Sequence, residues 1–339
     1  GRVSTNIGDY GEHPGDRDGD RERDGRAGSI VAKIGVKMLS RKDIEKEIGK
    51  EINIYPLIES NIKENSVNLT IGRNGWTKVE GKVYWYGEDD FSVENRGNSR
   101  KDWNIQRGHS CIVKTNVEKH SKSFLVLMPH ATTIVETAEV IGVGNKIGGS
   151  LHSKVGVVAK GVGHIGTMLG PGYCGHLMIS LHNITDDVIA LEVGSTFVSL
   201  AFDYLNTTVE RTSATVSGHV DKFSDLGIQI DTSTREYLTQ DWKANLDDIR
   251  YKMTESESYK KYKKHVKHNK WKNMKNYFSK RNIIAIIAVL LFFVALLILA
   301  NYVDSFLDKP VWVERFWTVG CSGIVGSVLV GVYNLIRNN

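Results

Sequence analysis

Polar and apolar side chains alternate along residues 176–182 with a period of two, which is typical of a strand with one buried face. The alternating residues are His176, Leu177, Met178, Ile179, Ser180, Leu181 and His182. The glycine- and proline-rich residues 169–175 precede them and predict a turn. The whole segment, LGPGYCGHLMISLHNIT, contains no Asp or Glu. A strand of this kind could line a binding site, but it brings no carboxylate.

Similar patterns recur between residues 38 and 205 and predict an all-β domain, a sandwich or barrel with short turns. The predicted strands are KVYWYG, SCIVKTNV, SFLVLM, ATTIVET, EVIGVG, KVGVVAKG, HLMISLHN, DVIALEVG and TFVSLAF. A short helix is expected at SRKDIEKEIGKE, with Ser40 as its N-cap. A second helix is expected over residues 237–253, because Trp242, Leu246, Ile249 and Met253 share one face. It should continue, with breaks near TESES, into a lysine-rich segment.

The chain of 339 residues divides by composition into four parts. Residues 1–37 alternate Asp, Arg and Gly with few apolar residues, and we expect a disordered or vector-derived leader. Residues 38–205 form the β domain, and residues 206–281 form a helical, basic linker. Residues 282–337 are strongly apolar.

Two uncharged segments in the last part, 283–303 and 316–336, are long enough to cross a bilayer as helices. Gly323, Ser327 and Gly331 form a small-residue stripe that would let such helices pack closely. The lysine-rich flank at 259–281 places the N-terminal domain and the C-terminus on the cytoplasmic side. We therefore expect a multi-pass membrane protein with two spans and the lipid bilayer as a partner.

The basic segment has two interpretations. Its lysines alternate with aromatic residues, which would suit nucleic acid, but the net charge of the chain is only +5. An anionic lipid surface is the favoured partner, and nucleic acid is not expected. Cys111, Cys174 and Cys321 show no paired spacing, so neither a disulfide framework nor a zinc site is predicted.

Two motifs do not support the chemistry they suggest. GVGHIG, residues 161–166, matches the dinucleotide fingerprint, but that fingerprint opens a helix and TMLGPG follows here. His176 and His182 share a strand face, but they are six residues apart and have no Cys-x-x-Cys or His-x-Glu partners. No metal site is therefore predicted.

The motifs of residues 38–205 resemble those of dCTP deaminases. The segment MLSRKDIEKEIGKEINIYPLIESNIKENSVNLTIG looks like the start of these enzymes, and GSLHSKVGVVAKG, LGPGYCGHLMISLHN and EVGSTFVSLAFDYL follow in the family's order. The resemblance implies the dUTPase/dCTP-deaminase fold, a distorted β-barrel (jelly roll). It also implies a homotrimer that binds a deoxynucleoside triphosphate between subunits, usually with Mg²⁺.

The resemblance implies nucleotide-binding roles for Ser150, Lys154, Gly172 and Tyr173. The family's phosphate-side motif begins with Arg, and Gly149 stands in that place. The family's catalytic carboxylates are absent as well. Gly170 occupies the position of the water-activating Asp of dUTPases, and Ser180 that of the proton-shuttling Glu of deaminases. His182 is a possible substitute base, although a lone strand histidine is more often structural.

Without a carboxylate, water has no positioned base to take its proton. The favoured hypothesis is therefore a catalytically degraded, membrane-anchored nucleotide sensor coupled to a transmembrane effector, as in antiphage defence. One alternative is an active membrane-tethered dCTP deaminase or dUTP diphosphatase that uses His182. The other is a membrane-anchored binding scaffold.

Overall fold

A computed structural model describes residues 37–117, 120–163, 166–210 and 217–277, with residues 291, 294, 295 and 298 further on. The described residues separate into two compact units. The first comprises residues 37–54 and 61–250, and the second comprises residues 55–60 and those from 251 onward. The predicted leader and the predicted spans lie outside the described residues, apart from Lys37 and the four isolated positions.

Strands dominate the first unit, in keeping with the predicted β-rich domain. They are β1 (Lys37–Met38), β2 (Ile52–Tyr55), β3 (Ser66–Thr77), β4 (Gly81–Gly87), β5 (Asp90–Ser92), β6 (Lys101–Ile105), β7 (Ile112–Val117), β8 (His120–Leu127), β9 (Thr132–Val143), β10 (Ile147–Ser153), β11 (Val162–Gly163), β12 (Met168–Leu169), β13 (Cys174–Asn183), β14 (Ile189–Glu192) and β15 (Thr196–Tyr204).

The strands form one large sheet and two small ones. The large sheet has the order β11-β13-β9-β3-β15-β10-β12, with β1 added to β15 and β2 added to β9. The small sheets have the orders β14-β8-β7 and β5-β4-β6. The core contains fully buried side chains of these strands, such as Leu69, Val135 and Leu200, each at 0 % exposure.

Helices are few and short except at the C-terminal end of the described chain. They are α1 (Arg41–Glu47), α2 (Val155–Val158), α3 (Thr232–Leu238), α4 (Leu246–Glu255) and α5 (Glu257–Tyr277). Three 3₁₀ helices cover Glu59–Asn61, Ser217–Lys222 and Asp241–Ala244. The predicted cap of α1 is confirmed: Ser40 and Asp43 form a capping box, which satisfies amide groups that the first turn leaves free.

Two strand predictions differ from the structure. ATTIVET and EVIGVG belong to one continuous strand, β9. KVGVVAKG is not a strand: residues 155–158 form α2, and Ala159 N donates to Val155 O. Gly161, at φ +86°, ends this turn with a left-handed conformation that a β-branched residue avoids. The β-branched valines predicted a strand, but local turn hydrogen bonds decide the conformation.

The helix predicted over residues 237–253 is divided into three pieces. α3 ends at Leu238, the 3₁₀ helix follows, and α4 starts at Leu246. Asn245 causes the last break, because its Oδ1 accepts hydrogen bonds from the backbone N of Asp247 and of Asp248 at 2.9 and 3.3 Å. The predicted break near TESES is confirmed, since α4 ends at Glu255 and α5 begins at Glu257.

The predicted membrane localisation is contradicted. No helix among the described residues is both long and apolar enough to cross a membrane. The helix α5 has the length, 21 residues, but its many lysines would be costly in hydrocarbon. The segments 283–303 and 316–336 lie outside the described residues except for residues 291, 294, 295 and 298. Because no described helix could cross a membrane, the prediction of a two-span membrane protein is wrong.

Residues 217–244 pack on one face of the large sheet. Val220, Phe223, Ile228 and Leu238 are buried against Trp76 of β3 and Ile134 of β9. A second cluster joins Ile249, Trp242 and Leu246 to Val140 and Cys174. We call residues 217–244 the strap, because they cross the sheet after the last strand.

Candidate functional site

The predicted phosphate-side residues lie at the end of β10. Ser150 is half-buried, and its Oγ lies 2.9 Å from Nε2 of His152. Lys154 follows the strand, and its Nζ donates to Thr196 Oγ1 at 2.7 Å. Both side chains are held by neighbours within the sheet. Gly149 pairs with Leu169 of β12, and a Cβ there would lie 2.4 Å from Ala201 O. This position therefore has no room for the arginine of the family motif in the present geometry.

The loop after β12 carries three of the predicted residues. Gly172 has a φ of +73°, and its N donates to Gly144 O at 3.0 Å. Tyr173 is 9 % exposed, and its hydroxyl donates to His176 O. The tyrosine therefore fastens the loop to β13. Gly170 has open space around it, since a Cβ there would meet nothing within 4 Å.

Ser180 and His182 lie along β13, on the same face. Ser180 is exposed and pairs with Ile134 of β9, and His182 pairs with Thr132. His182 Nδ1 lies 2.9 Å from Thr132 Oγ1. Its Nε2 is buried and has no hydrogen-bond partner in the part of the chain that the structure describes. This nitrogen is therefore not accessible from the solvent in a single chain.

Within one chain, the two halves of the predicted site lie in different parts of the sheet. Three strands, β9, β3 and β15, separate β13 from β10 in the sheet order. Along β13, Ser180 lies six residues after Cys174, the first residue of the strand. The distance between the two residues is about 20 Å at the rise of a strand. The phosphate-side and β13 residues therefore belong to separate regions of one chain.

A buried cluster of ionisable groups, which was not predicted from the sequence, lies on the same face as Ser180. Glu136 of β9 is 0 % exposed and pairs with Met178 of β13. Its Oε1 accepts from Asn74 Nδ2 at 2.9 Å and from Arg73 N at 3.1 Å, both on β3. Its carboxylate is thus directed toward β3 and away from β13. Glu136 does not replace the carboxylate absent at Ser180.

The cluster continues into the strap through Tyr237 and Lys243. Nζ of Lys243 and Cζ of Arg73 each lie 3.3 Å from the centroid of the Tyr237 ring, a cation–π arrangement. Lys243 Nζ also donates to Tyr237 O. The ring of His176 lies 5.3 Å from that of Tyr237, and its Nδ1 lies 2.8 Å from Thr137 O. We call Arg73, Glu136, His176, Tyr237 and Lys243 the clasp, because they join strap and sheet.

Burial shifts the pKa values of the clasp in opposite directions. It raises the pKa of Glu136 to about 7, although Asn74 and the Arg73 amide oppose this shift. It lowers the pKa of His176 to about 4 and that of Lys243 to about 8. Each group thus favours its neutral form more than it would in water. In the sequence, Glu136 within the apolar strand ATTIVET was the signal for a buried charge, but its partners are distant along the chain.

The described residues contain no group of three or more His, Cys, Asp or Glu side chains arranged to hold a metal ion. Near the phosphate-side residues, Asp203 is the only acidic residue of β10, β12 and β15. It pairs with Gly148, on the same face as Ser150. Mg²⁺ prefers several oxygen ligands and is commonly held by one or two carboxylates plus substrate phosphates. The chain alone offers too few ligands here.

Comparison with known proteins gives the class of the β domain. Residues 38–205, just under half of the chain, match the family model described as dCTP deaminase-like. A dCTP deaminase of Thermococcus gammatolerans is 22 % identical over 165 residues, which cover 49 % of this chain and 83 % of that protein. Residues 38–205 are therefore similar to the dCTP deaminases.

Solved structures of the same class are more distant. The dCTP deaminase of Agrobacterium tumefaciens is 14 % identical with a TM-score of 0.34, and the match spans half of this chain and 49 % of that one. The native dUTPase of EIAV is 19 % identical with a TM-score of 0.23, over 30 % of this chain and 90 % of that one. The assignment of the class depends on the family model and the curated relative, because these scores are too low to add to it.

Proposed function

We propose that the dCTP deaminase-like domain binds a deoxynucleoside triphosphate without converting it, and so acts as a nucleotide sensor. The observation that carries this proposal is the exposed Ser180 on β13. A serine hydroxyl does not act as a general base near neutral pH without a neighbouring base. His182 lies on the same face, but its Nδ1 is engaged with Thr132 and its Nε2 is buried. Glu136 is directed toward β3.

The binding site is proposed to form between copies of the chain. The phosphate-side residues Ser150 and Lys154 lie apart from Ser180 and His182 within one chain. A neighbouring copy would supply the missing half of each site, in agreement with the homotrimer that the resemblance implies. Exposed apolar side chains support such an interface, with Met168 at 87 %, Val155 at 85 % and Ile184 at 70 % exposure.

Mg²⁺ is proposed to accompany the triphosphate rather than to occupy a site made by the chain alone. Asp203, opposite Gly148, would contact such an ion only at the Ser150 end of the phosphate chain, because it lies about 13 Å along the strand from His152. The phosphate oxygens would supply other ligands, as is usual for this ion. The ion would neutralise part of the phosphate charge, and the chain would orient the nucleotide.

The test uses the full chain. Binding of each deoxynucleoside and nucleoside triphosphate is measured with Mg²⁺ by calorimetry, and the same samples are analysed for products by chromatography. We expect one or a few deoxynucleotides to bind without forming uridine nucleotides or pyrophosphate. In parallel, Ser180→Glu restores a carboxylate at an exposed position, where the longer side chain is tolerated, and Ser195→Glu is the control on an exposed turn.

Each outcome separates the hypotheses. Slow dCTP deamination by Ser180→Glu, but not by the wild type or the control, would support the proposal and show that the base binds beside β13. Product formation by the wild type would refute it and favour an active enzyme, with His182→Ala as the next variant. Absence of nucleotide binding would also refute it and leave a binding scaffold.

A further inference from the structure

Ser150 and His152 form a side-chain pair on β10. Only Ser150 was predicted as a site residue from the sequence. Leu151, between them, is 3 % exposed and points into the core. Ser150 and His152 therefore share the outer face of the strand. Ser150 Oγ and His152 Nε2 are 2.9 Å apart, and the histidine is exposed. An exposed imidazole thus lies directly beside the serine that the family motif places near phosphate.

Polar side chains on neighbouring strands extend this pair into a row. His152 lies opposite Ser199 of β15, and Ser199 Oγ donates to Asn68 Oδ1 of β3 at 2.8 Å. Lys154 follows two residues after His152. The acidic residue of this face, Asp203, is opposite Gly148, about 13 Å along the strand from His152. The end of β10 at His152 and Lys154 therefore carries donors and is distant from this carboxylate.

This chemistry suits a chain of phosphates. Phosphate oxygens accept hydrogen bonds, and such bonds are strongest when the donor is cationic. A hydroxyl, an imidazole N–H and an ammonium group can all donate such bonds, and the ammonium group is cationic. The family motif supplies an arginine at the position of Gly149, and the close Ala201 carbonyl leaves no space for it here. His152 lies three residues after Gly149, and its imidazole provides a donor on the outer face of the strand.

We propose that His152 contacts the phosphate chain of the bound nucleotide, together with Ser150 and Lys154, in a chain that lacks the arginine of the family motif at Gly149. The inference rests on the proposed nucleotide-binding function and adds a residue and a ligand class to it. The ligand class is a polyphosphate: the contribution of His152 grows with the number of phosphates and is absent for a nucleoside.

The test compares His152→Ala and His152→Arg with the wild type, all as the full chain. His130→Ala is the matched control, because His130 is also exposed and its Nε2 lies 2.7 Å from Asp186 in another loop. Affinities are measured for inorganic tripolyphosphate, dCTP, dCMP and deoxycytidine, and for any other deoxynucleotide that the binding screen identifies. Circular dichroism checks that each variant is folded.

We expect His152→Ala to weaken tripolyphosphate and triphosphate binding about tenfold, the cost of losing one hydrogen bond to a charged group. Nucleoside binding should not change, and His152→Arg should retain the affinity of the wild type or exceed it. Equal affinities in wild type and His152→Ala would overturn the inference and leave the proposed function intact. Equal losses for nucleoside and triphosphate would overturn it too, since they would mean a structural role. A wild type that binds no probe would refute the proposed function itself.

Discussion

Gly72 shows how one missing side chain shapes the clasp. A Cβ at this position would lie 2.4 Å from Cγ and 2.8 Å from the backbone O of Glu136, closer than atoms pack in protein cores. Glycine thus lets the side chain of Glu136 cross the backbone of β3 and reach Asn74. We expect Gly72→Ala to lower the free energy of unfolding by about 1–3 kcal/mol, the usual cost of overpacking.

Chemical denaturation of the full chain, followed by tryptophan fluorescence, measures this loss. Gly156→Ala is the control, because a Cβ at residue 156 would meet nothing within 4 Å. The same loss in both variants would mean that the close contact with Glu136 does not determine the need for glycine.

Glu136 and His176 should give opposite pH dependences. Folding raises the pKa of Glu136 from 4.5 to about 7. The stability that its protonated form contributes is complete below pH 4.5 and is lost as pH rises through 7. Folding lowers the pKa of His176 from 6.5 to about 4. The stability that its neutral form contributes is complete above pH 6.5 and is lost as pH falls through 4.

Between about pH 4.5 and 6.5 the two contributions therefore oppose each other. In His176→Gln, which leaves Glu136, the free energy of unfolding should fall as pH rises through this window. In Glu136→Gln, which leaves His176, it should rise. The other charged or titratable groups of the clasp are Arg73, Tyr237 and Lys243, and all three remain in both variants. Denaturation at several pH values measures the slopes, with the exposed Glu192→Gln as control. Slopes of the same sign in the two variants would contradict this account of burial.

At the scale of elements, the strap depends on apolar contacts as well as on the clasp. Phe223 is 2 % exposed, and its ring meets that of Trp76 edge-on with centroids 4.9 Å apart. We expect Phe223→Ala to loosen the strap, since truncating a buried phenylalanine costs about 3–5 kcal/mol. Hydrogen exchange should accelerate in residues 217–244 and not in β10 or β15.

Leu226→Ala is the control within the strap, because Leu226 is 41 % exposed and should tolerate truncation. Exchange that accelerates equally throughout the sheet in Phe223→Ala would show that strap and sheet unfold as one unit. The separate loosening of the strap would then be refuted.

The elements also show which parts of the fold can be predicted from sequence. Alternation of side chains located β4, where the buried Val83 and Trp85 alternate with more exposed neighbours. It also located β13, although the strap buries His176 and part of the face that the alternation predicted to be exposed. The same reasoning failed for α2, where Gly161 and local turn hydrogen bonds outweigh the preference of valine for strands. It also joined α3 to α4, because the capping role of Asn245 competes with a helix-like apolar pattern.

The candidate site was less predictable than the fold. Ser150 and Lys154 were predicted as nucleotide-binding residues from the resemblance to a family motif. The clasp draws on residues 73, 136, 176, 237 and 243, which only the sheet order brings together. No local pattern encodes such a set. His152 could have been noticed from its spacing of two after Ser150, but its hydrogen bond becomes visible only in the structure.

For the whole molecule, the proposed division of each site between two copies would make assembly a condition for binding. If Ser150 of one copy and Ser180 of another form each site, nucleotide affinity should depend on self-association. Met168 and Ile184 are 87 % and 70 % exposed, and a partner that covered them would gain about 1.5–3 kcal/mol for each. We expect the wild type to have three times the mass of one chain by analytical ultracentrifugation.

The double variant Met168→Ser/Ile184→Ser should shift this mass toward the monomer and weaken nucleotide binding in parallel. Serine adds no charge near the phosphate-side residues, but Met168 pairs with Ser150. A loss of affinity is therefore attributed to the loss of assembly only if a higher protein concentration restores both the mass and the binding of the wild type. Val209→Ser/Leu226→Ser is the control, with exposures of 43 % and 41 % elsewhere on the surface. If the monomeric double variant binds nucleotide as tightly as the wild type, each site is complete within one chain. The residues of β10 and β13 must then contact the same ligand within one chain. Their separation in the sheet order would not make binding depend on a partner.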